Sequence, residues 1–181
     1  MRRIKSNIII GLILLVLASC KTKQTSMIVA DSYDENKNQT TLTLLPYGNI
    51  IIPEKWTKTS FNQVSKQHFF KNNDSTTVAI SKNPKEKYPV FKAEQTNKEF
   101  ITDLVKWDAE YWKKEGLTIR TLDDQSDKGY ILWQAKSEDK NVNTIFIFGS
   151  KNGFAYNFSG TSKTWTETRI KDFLVKLYND N

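Results

Sequence analysis

Thr144-Ile145-Phe146-Ile147-Phe148, followed after Lys151-Asn152-Gly153 by Phe154-Ala155-Tyr156-Asn157-Phe158, is the stretch whose reading decides the fold. The first five residues favour β structure and put apolar side chains on both faces of the pleat. They predict a central strand covered on each side. The Asn-Gly pair is a strong hairpin signal, so Phe154–Phe158 returns antiparallel to its predecessor. Upstream, Tyr130–Lys136 joins the same meander through Glu138-Asp139-Lys140-Asn141, and Leu117–Leu122 supplies a fourth strand.

Working outward, the pattern changes from period two to period 3.6. Thr96 to Glu115 reads as a helix: Thr96 and Glu99 form a capping-box pair, and Gly116 stands where a C-terminal glycine is wanted. Phe100, Leu104, Trp107 and Tyr111 recur at helical spacing and are expected to face the sheet. A second helix, Thr164 to Tyr178, opens on Thr164 and Glu167 and carries the stripe Ile170, Phe173, Leu174 and Leu177. Earlier strands are Asn49–Ile52, closed by Pro53, then Gln67–Phe70 and Thr76–Ser81, the last two joined at Asn72-Asn73-Asp74. Lys82 to Gln95, with Pro84 and Pro89, reads as a long irregular connection of the kind that often carries function. Together these elements predict an α+β domain, a mainly antiparallel sheet flanked by helices.

The N-terminal end carries a different message. Met1-Arg2-Arg3-Ile4-Lys5, an apolar run from Ile8 to Leu17, and Leu17-Ala18-Ser19-Cys20 follow in the order of a secretory signal. The apolar run is too short for a membrane span, which needs about 20 residues in a helix. The four residues ending at Cys20 resemble the lipobox of bacterial lipoproteins, in which the cysteine is acylated. The expected organisation is a signal peptide over 1–19, a lipidated Cys20 and flexible tether over 20–45, and one α+β domain over 46–181. Lys21 after the cysteine resembles lipoproteins released to the outer membrane, so a periplasm-facing, lipid-anchored protein of the cell envelope is expected.

The opening stretch Tyr47-Gly48-Asn49-Ile50-Ile51-Ile52-Pro53-Glu54-Lys55-Trp56, a strand ending in a Pro-x-x-Trp turn, is followed by a long helix, a meander and a terminal helix. In that order it resembles the Mog1/PsbP-like family of α-β-α sandwiches, over about Tyr47 to Tyr178. The resemblance implies binding rather than a shared chemistry. Members include a photosystem accessory protein, a small-GTPase-binding protein, lipoproteins and secretion chaperones. No catalytic residue is carried over, because fold alone does not transfer function.

Composition excludes several chemistries. Removing Arg2, Arg3 and Lys5 with the signal takes three charges from the formal +7, and the remaining lysines alternate with acidic residues, so no nucleic-acid face is built. Neither a Walker A pattern nor GxGxxG occurs, so no nucleotide or other cofactor is expected. Cys20 is the only cysteine and His68 the only histidine; no metal site is expected from them, and His68 reads as structural or solvent-facing. Asp123, Asp124 and Asp127, with Glu138 and Asp139, fall in turns. Asp31, Asp34, Glu35 and Asn36 lack the spacing and glycine of an EF-hand loop.

Two features remain as candidate contact sites. Lys85, Lys87, Tyr88, Phe91 and Lys92 interleave cations with aromatics in one loop. Read one way, this loop rests on an anionic lipid surface or an acidic partner; read the other, its aromatics fold back on the core. Trp112 is a candidate aromatic platform, since Trp107, Asp108, Tyr111 and Trp112 cannot all face the sheet. The leading expectation is a non-enzymatic module that binds an envelope protein or aids envelope assembly. A carrier or chaperone for an apolar ligand or segment is the alternative and demands a large apolar pocket. A hydrolase comes last, because it needs convergent polar groups.

Overall fold

A computed structural model describes residues 27–181. The order is β1 (Ile28–Asp34), β2 (Gln39–Leu45), β3 (Asn49–Pro53), β4 (Thr57–Asn62), β5 (Gln67–Lys71), β6 (Thr77–Pro84), α1 (Asn97–Lys114), β7 (Thr118–Gln125), β8 (Tyr130–Ser137), β9 (Val142–Lys151), β10 (Phe154–Thr161) and α2 (Glu167–Asn179). Strands β1-β2-β3 make a small sheet, and β4-β5-β6-β10-β9-β8-β7 a large one, with antiparallel pairing throughout both.

Strand β9 is central, as its two apolar faces predict. Ile145 and Ile147 enter one core with α2 and the small sheet, while Phe146 and Phe148 enter a second core with α1. The helices therefore lie on opposite faces of the large sheet, and the expected α-β-α arrangement holds. On the α2 side the approach is close. A Cβ at Gly160 would stand 2.7 Å from Ile170 Cγ2, and one at Gly149 would overlap the Tyr178 ring. Helix α1 carries the full capping box: the Glu99 amide donates to Thr96 Oγ1 at 3.2 Å and the Thr96 amide to Glu99 Oε2 at 2.8 Å.

Three sequence expectations are corrected. The tether expected through residue 45 is, from Ile28 onward, a β-hairpin. Thr40, Leu42 and Leu44 of β2 are buried in the core, and β1 is held mainly by its ladder to β2. Because β1 is exposed on both faces, its sequence lacks the apolar alternation that marks a half-buried strand. The second helix starts at Glu167 rather than Thr164. Thr166 is its N-cap, accepting from the Arg169 amide at 3.2 Å, whereas Thr164 Oγ1 donates to the Asp74 carbonyl at 3.2 Å. Strand β4 is an additional edge strand that its polar sequence, Thr57-Lys58-Thr59-Ser60-Phe61-Asn62, conceals.

Asn181 fastens the small sheet. Asn181 Oδ1 accepts from the Ile51 amide at 2.7 Å, and its Nδ2 donates to the Ile51 carbonyl at 3.0 Å, so the free edge of β3 is occupied. Trp56 pins the other end: its amide donates to Thr40 Oγ1 at 2.9 Å and its Nε1 to the Pro53 carbonyl at 2.7 Å.

His68 is 2% exposed and stacks on Phe61 with ring centroids 4.5 Å apart. Burial, then the charge of Lys58, lowers its pKa from 6.5 to about 4, against a smaller opposing effect of Asp31. Between those values the unfolded chain takes up a proton that the native state refuses, so the stability this residue contributes above pH 6.5 is lost as pH falls through 4. The unfolding free energy of wild type minus that of His68→Leu should drop by about 3 kcal/mol between pH 7 and pH 4. Urea titrations across that range measure it; a flat difference would show that the imidazole charges freely in the folded state.

Candidate functional site

The two faces of the large sheet are filled differently. On the α2 face, β6 and β10 present Val78, Ile80, Tyr156 and Phe158, all buried. On the other face the same strands present Thr77, Ala79, Asn157, Ser159 and Thr161, which are small or polar. Helix α1 packs over β7, β8 and β9, where Trp133, Phe146 and Phe148 reach up to it. It stops short of β5, β6 and β10. The uncovered half forms a groove of about 1120 Å³.

Its walls follow from those strands and that helix. The floor is Ala79, Phe69, Phe146 and the polar row of β10; one wall is the side of α1, and the turn after β4 closes the far rim. Trp107 and Tyr111, expected in the core, are 48% and 57% exposed at the rim, and Val64 across from them is 94% exposed. The helix instead lays Phe100, Leu104, Asp108 and Trp112 toward the sheet, a row at four-residue spacing. Trp112 packs against Phe146 with centroids 5.6 Å apart, so it serves as a half-buried wall rather than an open platform.

Asp108 is the residue that sequence reading passed over. It stands in the helix's inward row, between Leu104 and Trp112, and lines the groove. Trp112 Nε1 donates to its Oδ2 at 3.0 Å. Loss of water raises its pKa from 3.8 to about 6, opposed only by that hydrogen bond. The polar floor is largely self-satisfied: Gln67 Nε2 donates to Asn157 Oδ1 at 3.1 Å, and the Thr144 and Thr161 hydroxyls lie 2.9 Å apart.

The loop proposed from sequence is fastened down. Tyr88 and Phe91 pack against the α1 core, with Tyr88 edge-on to Phe100 at 6.1 Å. Lys85 Nζ donates to Asn97 Oδ1 at 3.0 Å, and Lys92 pairs with Asp103 at 3.0 Å. Lys87 is left exposed. These five residues form no single surface; the fold-back reading of the loop describes them. The turn acids act locally: Asp124 accepts from the Ser126 amide, Asp127 from Lys98, and Asp34 from the Asn36 and Lys37 amides. Among the described residues no three His, Cys, Asp or Glu side chains cluster as a metal site would require. Cys20 lies outside the described residues.

No family model and no curated protein matches this sequence. Among solved structures, the solution structure of cyanobacterial PsbP (CyanoP) from Synechocystis sp. PCC 6803 is similar, with a TM-score of 0.44 and 10% identity, over 91% of this chain and 96% of that chain.

A carboxylate whose pKa is raised on folding weakens the native state wherever it is ionised. Asp108→Asn keeps an acceptor for Trp112 and removes that cost. It should raise the unfolding free energy at pH 7 by about 3 kcal/mol and change it little at about pH 3, below the ionisation of Asp108 in either state. Denaturant titrations at both pH values check this. Destabilisation at pH 7 would mean that the charge is structural.

Proposed function

We propose that this chain is a non-enzymatic binding module whose working surface is the groove beside α1. One observation carries the reading: a cavity of about 1120 Å³ is left open on a sheet face whose opposite side is fully packed. Known small-molecule sites run to roughly 1,000 Å³ and combine apolar walls with few polar anchors, which is what Phe69, Ala79, Phe146, Trp112 and Asp108 supply. This favours the carrier or chaperone form of the binding hypothesis over docking through the loop at 85–92.

Hydrolysis gains little support. Of the acids at the groove, Asp103 is held by Lys92 at 3.0 Å and Gln95 at 2.7 Å, and Glu110 by Lys113 at 2.9 Å. Asp108 therefore stands alone, and glycoside cleavage calls for two working carboxylates.

The module's place is proposed from the N-terminal sequence: an acyl chain on Cys20 holds it to a membrane of the cell envelope, at the periplasmic side of the outer membrane. No helix among the described residues is long and apolar enough to cross a membrane. With β1 beginning at Ile28, the chain from Cys20 to the body spans at most about 28 Å, so the groove would work near the bilayer surface.

Two measurements test these readings. A neutral apolar dye such as N-phenyl-1-naphthylamine should bind wild type, with energy transfer from Trp107, and lose at least about tenfold in affinity to Asn157→Phe, which raises a ring from the middle of the groove floor. An unchanged unfolding midpoint separates lost binding from lost fold; equal dye affinity in both proteins would sink the groove reading. Separately, Cys20→Ala should move the protein from the membrane to the soluble fraction of cells, and a variant that stays with membranes would contradict lipid anchoring.

A further inference from the structure

We infer that the groove takes an amphiphile with an apolar body and a single cationic head, the head pairing with Asp108. This rests on the groove being the binding surface and adds the chemistry of its occupant. Charge complementarity argues the head. Asp108 accepts from one donor among the described residues, Trp112 Nε1, which reaches only Oδ2 of the carboxylate. The neighbouring acids Asp103 and Glu110 are each matched by a lysine, and the lining lysines Lys106 and Lys114 stand exposed, so Asp108, set inward of them, is the acid that a ligand would meet unpaired. An ammonium there gains a charge-assisted hydrogen bond in a site with reduced water.

The floor argues the body. A peptide laid in the groove would bring an amide every few ångströms, each needing a partner. The backbone groups of β5, β6, β10 and β9 are spent on their own ladders, Gln67 bonds Asn157 and Thr144 bonds Thr161, and the hydroxyls left over, those of Thr77 and Ser159, make no continuous row of partners for a peptide backbone. Unmet amides cost more than apolar contact returns. A hydrocarbon or aromatic body makes no such demand and can lie on Ala79, Phe69 and Phe146.

The chain's own charge makes the test discriminating. The formal balance is +7, so unspecific attraction favours anionic over cationic amphiphiles. Dodecylamine, dodecanol and dodecanoate are titrated into the purified full-length chain at pH 7, below micelle formation, by displacement of the neutral dye. The amine should bind at least about tenfold more tightly than the other two, and Asp108→Asn should bring all three to within about twofold, with Asn157→Phe weakening each at least about tenfold. An amine advantage that survives Asp108→Asn, or no advantage in wild type, overturns the head assignment while the groove reading stands. If no chain displaces the dye and a basic apolar peptide does, the amphiphile is wrong and the occupant is a polypeptide segment. If the dye itself binds Asn157→Phe as it binds wild type, the groove reading fails with it.

Discussion

Helix α1 is one 18-residue cylinder laid across a seven-stranded sheet, and it covers only part of that face. A single helix about 10 Å wide shields roughly two to three strands. Here the covered strands are β7 to β9, whose Trp133, Phe146 and Phe148 rise to meet it. The opposite face has both α2 and the small sheet over it, so it closes completely. The proposed binding role follows from this unequal cover. Where a helix packs, side chains are large; where none does, β6 and β10 carry Thr77, Ala79, Asn157, Ser159 and Thr161.

That arrangement also explains where stability is given up. A packed core gains from each buried methylene, whereas the groove exposes Trp107, Tyr111 and Val64 and desolvates the Asp108 carboxylate with one hydrogen bond for compensation. Features that weaken the native state and serve no packing purpose cluster at working surfaces. His68 is a different case. It too is desolvated, but it lies under Phe61 at the β4 edge and lines none of the groove, so its cost is a matter of folding alone.

Much of this was legible in the residues. The double-sided apolar run of β9, the Asn-Gly turn, the capping box at Thr96 and the stripe on α2 each state their structure locally, because period and capping are short-range properties. The hairpin β1–β2 was hidden because β1 buries almost nothing and owes its form to a partner strand. The groove was half visible. The row Ala155, Asn157, Ser159, Thr161 alternates with aromatics in β10, marking a face that no large side chain fills. An acid at Asp108, four residues from both Leu104 and Trp112, marks a polar group set in an apolar row. What the sequence could not show is which of the two helical rows, Trp107 and Tyr111 or Asp108 and Trp112, turns inward. That choice depends on where α1 crosses the sheet, a long-range property set by the link from β6 inside the sheet to β7 at its edge.

The most direct test of the central claim is a map of ligand-induced NMR shifts across both sheet faces. With dodecylamine added, the account predicts perturbation of the Ala79, Val64, Val90 and Thr161 methyls and the Trp107 and Trp112 indoles, while Val78, Ile80, Ile147 and Leu174 on the closed face stay in place. Shifts concentrated on the closed face, or no shifts at a ligand concentration that displaces the dye, would contradict it.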